Sequence, residues 1–571
     1  MDKDFFLNPN DPMHRRYEIL RAFHYEGLTA KEVARRFSVS PLTVYSLSRD
    51  YKNTSAEEIF LPLKKGPKSR RDSTLAAKNE MVRLRKMNFS IGQIQEELMR
   101  HGLSFSIYTI SGILKEEGFA RLFRRTRKEQ LESTAARQHP QVSEAARFAD
   151  VPYAKTQFAG IFLAIPLLLD LDMPSLVESL PLYGSKMIPK MQYFLSLLAL
   201  KFVGKERLCH IDDLAFDYGL GCFAGLNVLP KAAAATQYSY RNQSSATRRL
   251  SEGFTTRLTE KGFLPGRFIN LDFHTIPHYG DESRLDNNWI PTRGKSMKSV
   301  LTFFAQDLET TYLCYANCDI EKDEQNDEIL QFLKYYILTT DRRPECLVFD
   351  SKLTTYSNLW RLHDEFKTRF ITLRRRGPAL VKRAASLKNW KKITLTNINR
   401  RYRHLKVHSE TITLKDYHED LRQIIITGTG RDMPMFLITN DFESTEKALL
   451  TTYSHRWRIE NSIAENVDFF NLNALSSPVV VKVDFDVTLT LIANSLYKIL
   501  ASHMPRFEKS KPKNIFRNFI DIPATVKIGK KEVEVCFDKK AFNPLIMDYV
   551  RDKQNLPVPW FAGRSLSFSF D

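Results

Sequence analysis

The order of short apolar runs between Arg267 and Leu373 constrains this chain more than any other feature. Arg267 to Phe273, Ser299 to Ala305 and Tyr312 to Asn317 are rich in aromatic and β-branched residues and read as three successive strands. A helical stretch from about Asn326 to Leu338 separates them from the strand Cys346 to Phe349, and a second helix near Leu359 to Glu365 precedes the strand Arg369 to Leu373. Two of these strands close on an acid, in Phe-Ile-Asn-Leu-Asp272-Phe-His-Thr and Cys-Leu-Val-Phe-Asp350-Ser-Lys.

Three strands, then helix, strand, helix, strand, is the order of an RNase H-like α/β fold, whose first and fourth strands lie side by side. That order brings Asp272 next to Asp350. A third acid, Glu460, lies in the helical string Tyr453-Ser-His-Arg456-Trp-Arg-Ile-Glu460-Asn, where spacings of three and four put Tyr453, Arg456 and Glu460 on one face. Three carboxylates from separate elements suit two hard divalent cations, which in phosphodiester chemistry stabilise the attacking and the leaving oxygen. Taken alone, the helical string is equally an ordinary Arg-Glu pair beside a packed tyrosine. Residues 374–440 interrupt the layout with strand-like runs at Thr394 to Thr396, Thr411 to Leu414, Gln423 to Thr427 and Met435 to Ile438, a β-rich insertion. The glutamate helix is expected to begin after Ser444 as N-cap and to run unbroken to about Phe470.

The first 60 or so residues read as a helix-turn-helix unit. A helix from His14 to Tyr25 ends at Gly27, Thr29-Ala-Lys-Glu32 is a capping box for Ala30 to Phe37, and Ser38-Val39-Ser40 turns into a third helix opened by Pro41. In such a unit Pro41, Thr43 and Ser46 approach base edges, while Arg35, Arg36, Arg49 and Lys52 are available to phosphates. A small bundle with solvated charges has the same caps. A second unit follows, with a capping box at Ser90 to Gln93 and a helix opened by Ser106 that carries Ile107, Ile110, Ile113 and Leu114 before Gly118. The basic string Lys64 to Arg71 links the two, and Arg121 to Lys128 is a further basic run. From about Ala145 to Gly262 the pattern is helical, with Leu195 to Phe202 and Leu214 to Phe223 as core and Arg241, Arg248, Arg249 and Arg257 as candidate DNA contacts. The expected organisation is 1–60 and 74–120 as the helix-turn-helix units around a linker 61–73, 121–265 helical, 266–373 and 441–505 the α/β core, 374–440 the insertion, and 506–571 a region for oligomerisation.

With 85 Lys plus Arg against 66 Asp plus Glu the net charge is +19, as expected of a protein with a polyanionic partner. The six cysteines form no CxxC pair and read as buried thiols in a reducing cytosol. The start has no secretory pattern, and the greasiest run, Phe158 to Leu171, is shorter than the ~20 residues of a bilayer span. It reads as a buried helix.

Beyond these readings, the region from about Phe268 to Ala501 resembles the bacterial insertion-sequence transposases of the DDE class with a Tyr-x2-Arg-x3-Glu-x6-Lys signature. The strings that carry the resemblance are Asp272-Phe-His-Thr-Ile-Pro-His-Tyr-Gly280, Phe349-Asp-Ser-Lys-Leu-Thr-Thr355 and the glutamate string above. It implies Asp272, Asp350 and Glu460 as ligands of two Mg2+ ions, replaceable by Mn2+, and Tyr453 and Arg456 as contacts to DNA-end phosphates. It also implies terminal inverted repeats and target DNA as partners, a dimer or larger assembly on DNA, and a place on the bacterial nucleoid. The chain departs from the signature at Val467, where a lysine is expected. That phosphate contact then comes from His455, Arg458 or the run Arg374-Arg375-Arg376, or is absent. His274 and His278 are candidate extra ligands or core residues. Two other functions share much of this pattern, a DNA-binding repressor with a silent core and a nuclease without strand transfer.

Overall fold

The computed structural model describes residues 9, 11–52, 72–86, 89–117, 119, 153–279, 285–290, 293–395, 403–474 and 480–571. The basic strings 64–71 and 121–128 and the cap at Gly118 lie outside the described residues. The chain divides into two compact units, 1–79 and 80–571.

In the smaller unit, helices Pro12–His24, Ala30–Arg36 and Pro41–Lys52 enclose Ile19, Ala22, Val33, Phe37 and Val44. Each start is capped from the sequence. Asp11 accepts from the amides of Met13 and His14, Thr29 and Glu32 form the capping box, and the Ser40 hydroxyl accepts from Thr43 N–H. The chain turns between the last two helices at Ser38, which has a φ of 50°.

In the larger unit, helices Ile91–Arg100 and Ile107–Glu116 pack together, burying Ile94, Leu98, Ile110, Ile113 and Leu114. Ile107, expected on that apolar face, is instead exposed in the first turn. A third helix, Asp72–Lys86, precedes them where no helix was expected.

Two sheets organise the rest. The strands are β1 (Tyr153–Thr156), β2 (Phe268–Pro277), β3 (Asn287–Ile290), β4 (Lys295–Asp307), β5 (Leu313–Asn317), β6 (Cys346–Phe349), β7 (Arg369–Leu373), β8 (Lys391–Thr394), β9 (His404–Leu414), β10 (Tyr417–Thr427), β11 (Met435–Thr439), β12 (Ala524–Ile528), β13 (Glu532–Phe537), β14 (Leu556–Pro557) and β15 (Ser565–Phe570). The larger sheet runs β3-β4-β2-β6-β7-β11-β10-β9-β8, with β5 also paired to β4. Its centre is mixed: β2 is antiparallel to β4 but parallel to β6, and β6 is parallel to β7. The insertion does not interrupt this sheet. β11 pairs antiparallel with β7, so the added strands lengthen it, and a helix absent from the sequence reading, Pro378–Ser386, lays Ala384 on Ile425 and Phe436.

The smaller sheet, β1-β12-β13-β15-β14, joins a strand from residue 153 to strands beyond residue 523. The helical region between them is core: every residue of Lys190–Phe202 is buried. The run Phe158 to Leu171 is a tight turn plus the helix Ala164–Asp170, and among the described residues no single helix is long and apolar enough to cross a membrane. Arg241 stands over the Tyr183 ring, Arg248 pairs with Glu252 and Arg257 with Asp172, so three of the four candidate arginines of this region already have protein partners. The cysteines are unbonded to one another, and Cys209 is exposed rather than buried.

Candidate active site

Register brings Asp272 and Asp350 together. The parallel ladder of β2 and β6 ends at Leu271 opposite Phe349, so the next residue of each strand is an aspartate, on strands about 4.8 Å apart. Asp350 leaves the sheet there, its carboxylate accepting from Ser351 N–H at 2.5 Å. Asp272, expected near a strand end, is mid-strand, because β2 continues along β4 to Pro277. The approach of β2 is fixed at Gly266, which has a φ of +71° and where a Cβ would lie 1.9 Å from the Tyr336 hydroxyl oxygen. Asp307, at the end of β4, holds the Gly266 amide at 2.8 Å.

The glutamate arrives on a broken helix rather than the continuous one expected. Thr445, not Ser444, is the N-cap of Glu446–Ser454, and a tight turn at His455 and Arg456 leads into Trp457–Asp468. Three contacts absent from the sequence reading anchor the second segment to the sheet. Gln306 Nε2 donates to Ser462 Oγ at 2.6 Å, Arg458 Nη1 to the Leu308 carbonyl at 2.7 Å, and Asn270 Nδ2 to the His455 carbonyl at 3.4 Å. Ile459 and Ile463 pack on Ile276, Val300 and Phe304, which leaves Glu460 exposed at the rim of the site.

The turn aims Arg456 into the site. Its side chain is 17% exposed, its Nη1 lies 3.3 Å from Asp272 Oδ2, and its Nη2 pairs with Glu460 Oε1. This is not the exposed Arg-Glu pair of an ordinary helix. Burial alone disfavours the charged guanidinium, but Tyr453, Asp272, Glu460 and Asp350 all act to keep it charged. Burial pushes the Tyr453 hydroxyl up to about 12. Burial also pushes the Asp272 carboxyl up to about 6; Arg456 opposes this, while Glu460 and Asp350 reinforce it. Arg456 thus pairs with two of the carboxylates and lies in the field of the third.

That imbalance has a measurable consequence. With its folded pKa near 6 and its ordinary value of 3.8, Asp272 stabilises the fold fully below about pH 4, and the contribution is lost as pH rises through 6. The difference is worth about 3 kcal/mol. In metal-free buffer, Asp272→Asn therefore melts higher than the wild type at pH 8 and level with it at pH 4. Equal melting at both pH values would show that the ionised carboxylate carries no such cost.

Other candidates fall elsewhere. Arg374 sits one residue past the end of β7, at the same sheet end as Asp350, and bonds Gln423 Oε1 at 3.0 Å, while Arg375 and Arg376 are exposed. Arg458 is committed to Leu308, and Val467, half-buried, packs against the cluster around Ile459. His274 Nε2 is 2.7 Å from Asn473 Oδ1, and burial holds both His274 and His278 low, as for core histidines. In the smaller unit Arg35, Thr43 and Arg49 are exposed and Ser46 is half-buried, but Arg36 is held by Glu26 at 2.6 Å. Among the described residues no three His, Cys, Asp or Glu side chains stand close enough to grip one ion as placed.

Residues 321–493 match the family model of the transposase DDE domain. The chain carries a transposase DDE domain. The match contains Asp350 and Glu460, and the register just described adds Asp272 from outside it. A DDE transposase domain marks an enzyme that acts on DNA. No curated protein matches the chain.

Proposed function

We propose that this DDE transposase binds the terminal inverted repeats of an insertion sequence, cuts the DNA at their ends and joins the ends to target DNA, working on the bacterial nucleoid. The observation that carries the reading is that the guanidinium of Arg456 pairs with both Asp272 and Glu460, while Asp350, at the end of the strand beside Asp272, adds to its field. The strand order β5-β4-β2-β6-β7 supports an RNase H-like core, and the capped three-helix unit at residues 12–52 supports a helix-turn-helix reader of the repeats.

The donor set fits hard divalent cations. All three groups are carboxylates; burial, reinforced by Glu460 and Asp350, holds Asp272 up, and a positive charge beyond that of Arg456 relieves it. Asp272, Asp350 and Glu460 would hold two Mg2+ ions, with Mn2+ able to replace them. Bound there, the metal supplies an activated nucleophile and charge stabilisation of the leaving oxygen. The protein's own part is to keep Asp272 and Asp350 rigid at the forking of β2 and β6, while Glu460 at the rim is free to close. Arg456, drawn off the carboxylates, turns to a DNA phosphate, and Tyr453 beneath it limits where that phosphate sits.

The test supplies a precut end, taken from DNA flanking the gene, with a plasmid target and Mg2+. A joined product is expected. Cutting without joining would indicate a nuclease, and footprinting without cutting would indicate a repressor. Removing residues 1–71 leaves the larger unit whole; it abolishes the footprint on the repeat and retains weak, salt-sensitive DNA affinity. A footprint that survives this deletion would move recognition to the larger unit.

A further inference from the structure

Lys498 is a cation that the site described above does not use. It projects from the helix Val480–Ser502, half-buried, and burial brings it down to about 8, with Glu465 opposing the shift. Desolvating an ammonium is costly, and a lysine kept for solubility would point outward. Both of its bonds go to one residue: Nζ donates to the Thr311 carbonyl and, at 3.1 Å, to the Thr311 hydroxyl oxygen. The ammonium also stands 5.6 Å over the Tyr312 ring.

Thr311 is the strained member of the turn between β4 and β5. Its φ is 66°, a conformation that a β-branched side chain resists. Such a residue keeps its shape only where its surroundings grip it. On one side the grip is Asp307, whose backbone carbonyl accepts from Thr311 N–H at 2.9 Å and whose carboxylate accepts from Glu309 and Thr310 N–H at 3.0 and 2.8 Å. Lys498 supplies the other side.

The same turn fastens the helix that carries Glu460. Its Leu308 carbonyl takes Arg458, and its Thr311 carbonyl accepts at 3.1 Å from Gln306 Nε2, which also reaches Ser462 Oγ. Arg458 and Ser462 lie two residues before and two after Glu460. At about 3.6 residues per turn, residues two apart point nearly opposite ways, so gripping both from the sheet fixes the rotation that presents Glu460 at the rim. Lys498, Thr311, Gln306 and Ser462 thus form one chain of bonds from the helix Val480–Ser502 to the glutamate helix. We propose that Lys498 is a positioning residue for Glu460, holding the strained turn whose bonds set how the glutamate is presented to metal. The inference rests on the reading of the three carboxylates as metal ligands.

The experiment measures Mn2+ binding to the full chain, without DNA, by the loss of the free-ion electron paramagnetic resonance signal. Lys498→Met keeps the stem and removes the charge; it binds Mn2+ roughly ten- to a hundredfold more weakly, the range for a supporting partner behind the ligands. Thr311→Gly, to which a positive φ costs little, restores most of that affinity to Lys498→Met. In a Glu460→Gln background Lys498→Met brings no further loss, since it acts through the glutamate. Three results would each overturn the proposal: wild-type affinity in Lys498→Met, a loss that Thr311→Gly does not relieve, or an equal loss in the Glu460→Gln background. If Lys498→Met does not fold, Ser462→Ala breaks the same path at its other end; it weakens Mn2+ binding to the same degree, and unchanged affinity there overturns the proposal. A Glu460→Gln chain that binds Mn2+ as the wild type does overturns instead the reading of the carboxylates on which the inference rests.

Discussion

Asp272→Ala, Asp350→Ala and Glu460→Ala each abolish cleavage and joining in an assay with Mg2+, while the footprint on the repeat stays close to that of the wild type. The separation is expected because the carboxylates lie in the larger unit and the proposed reading helices in the smaller one. EDTA reproduces all three phenotypes in the unmodified chain. The three need not melt alike: Asp272 and Asp350 sit at the forking of β2 and β6, whereas Glu460 is an exposed side chain whose loss removes only one partner of Arg456. Measurable joining by any one variant would remove that residue from the site.

Arg456→Ala loses roughly ten- to a thousandfold in cleavage, the scale of losing one positioned charge-stabilising group. A second effect follows from burial. With its guanidinium gone, Asp272 is left beside two other carboxylates without its cation, and breaking a buried pair in this way costs about 3–5 kcal/mol. The variant therefore melts markedly lower at neutral pH without metal and recovers when Mg2+ is added or when Asp272→Asn is introduced. Arg456→Lys restores part of the stability but less of the cleavage, since one ammonium cannot span two acids or two phosphate oxygens as a planar fork does. Wild-type cleavage by Arg456→Ala would leave the residue as a helix anchor only.

Much of this arrangement was legible in the residues because local signals and pairing agreed. The strands at 268, 346 and 369 have the β-branched and apolar runs of buried elements, and the register of β2 with β6 follows once they are neighbours. What escaped was set by distant partners. β1 is a four-residue strand whose pairing partner lies more than 360 residues away, so nothing local distinguishes it from a loop. β3 holds two asparagines, a tryptophan and an isoleucine, with no alternation to mark an edge strand. The break at His455 and Arg456 has no glycine or proline to announce it; tertiary bonds from Asn270, Gln306 and Arg458 impose it, and it is what turns Arg456 inward. Val467 reads as a missing lysine in the string but is an ordinary packing residue in space.

The pairing of β1 with β12 also sets a schedule for the molecule's manufacture. A ribosome completes Tyr153 to Thr156 long before it reaches Ala524 to Ile528, and until those residues emerge the smaller sheet has no centre. In the meantime the capped helices of residues 12–52 are already outside the tunnel, able to fold on local contacts that form quickly. Of the described residues, the proposed reader of the repeats therefore folds early and the smaller sheet is finished last. During that interval the proposed DNA reader stands folded on a chain whose proposed cutting body is still incomplete.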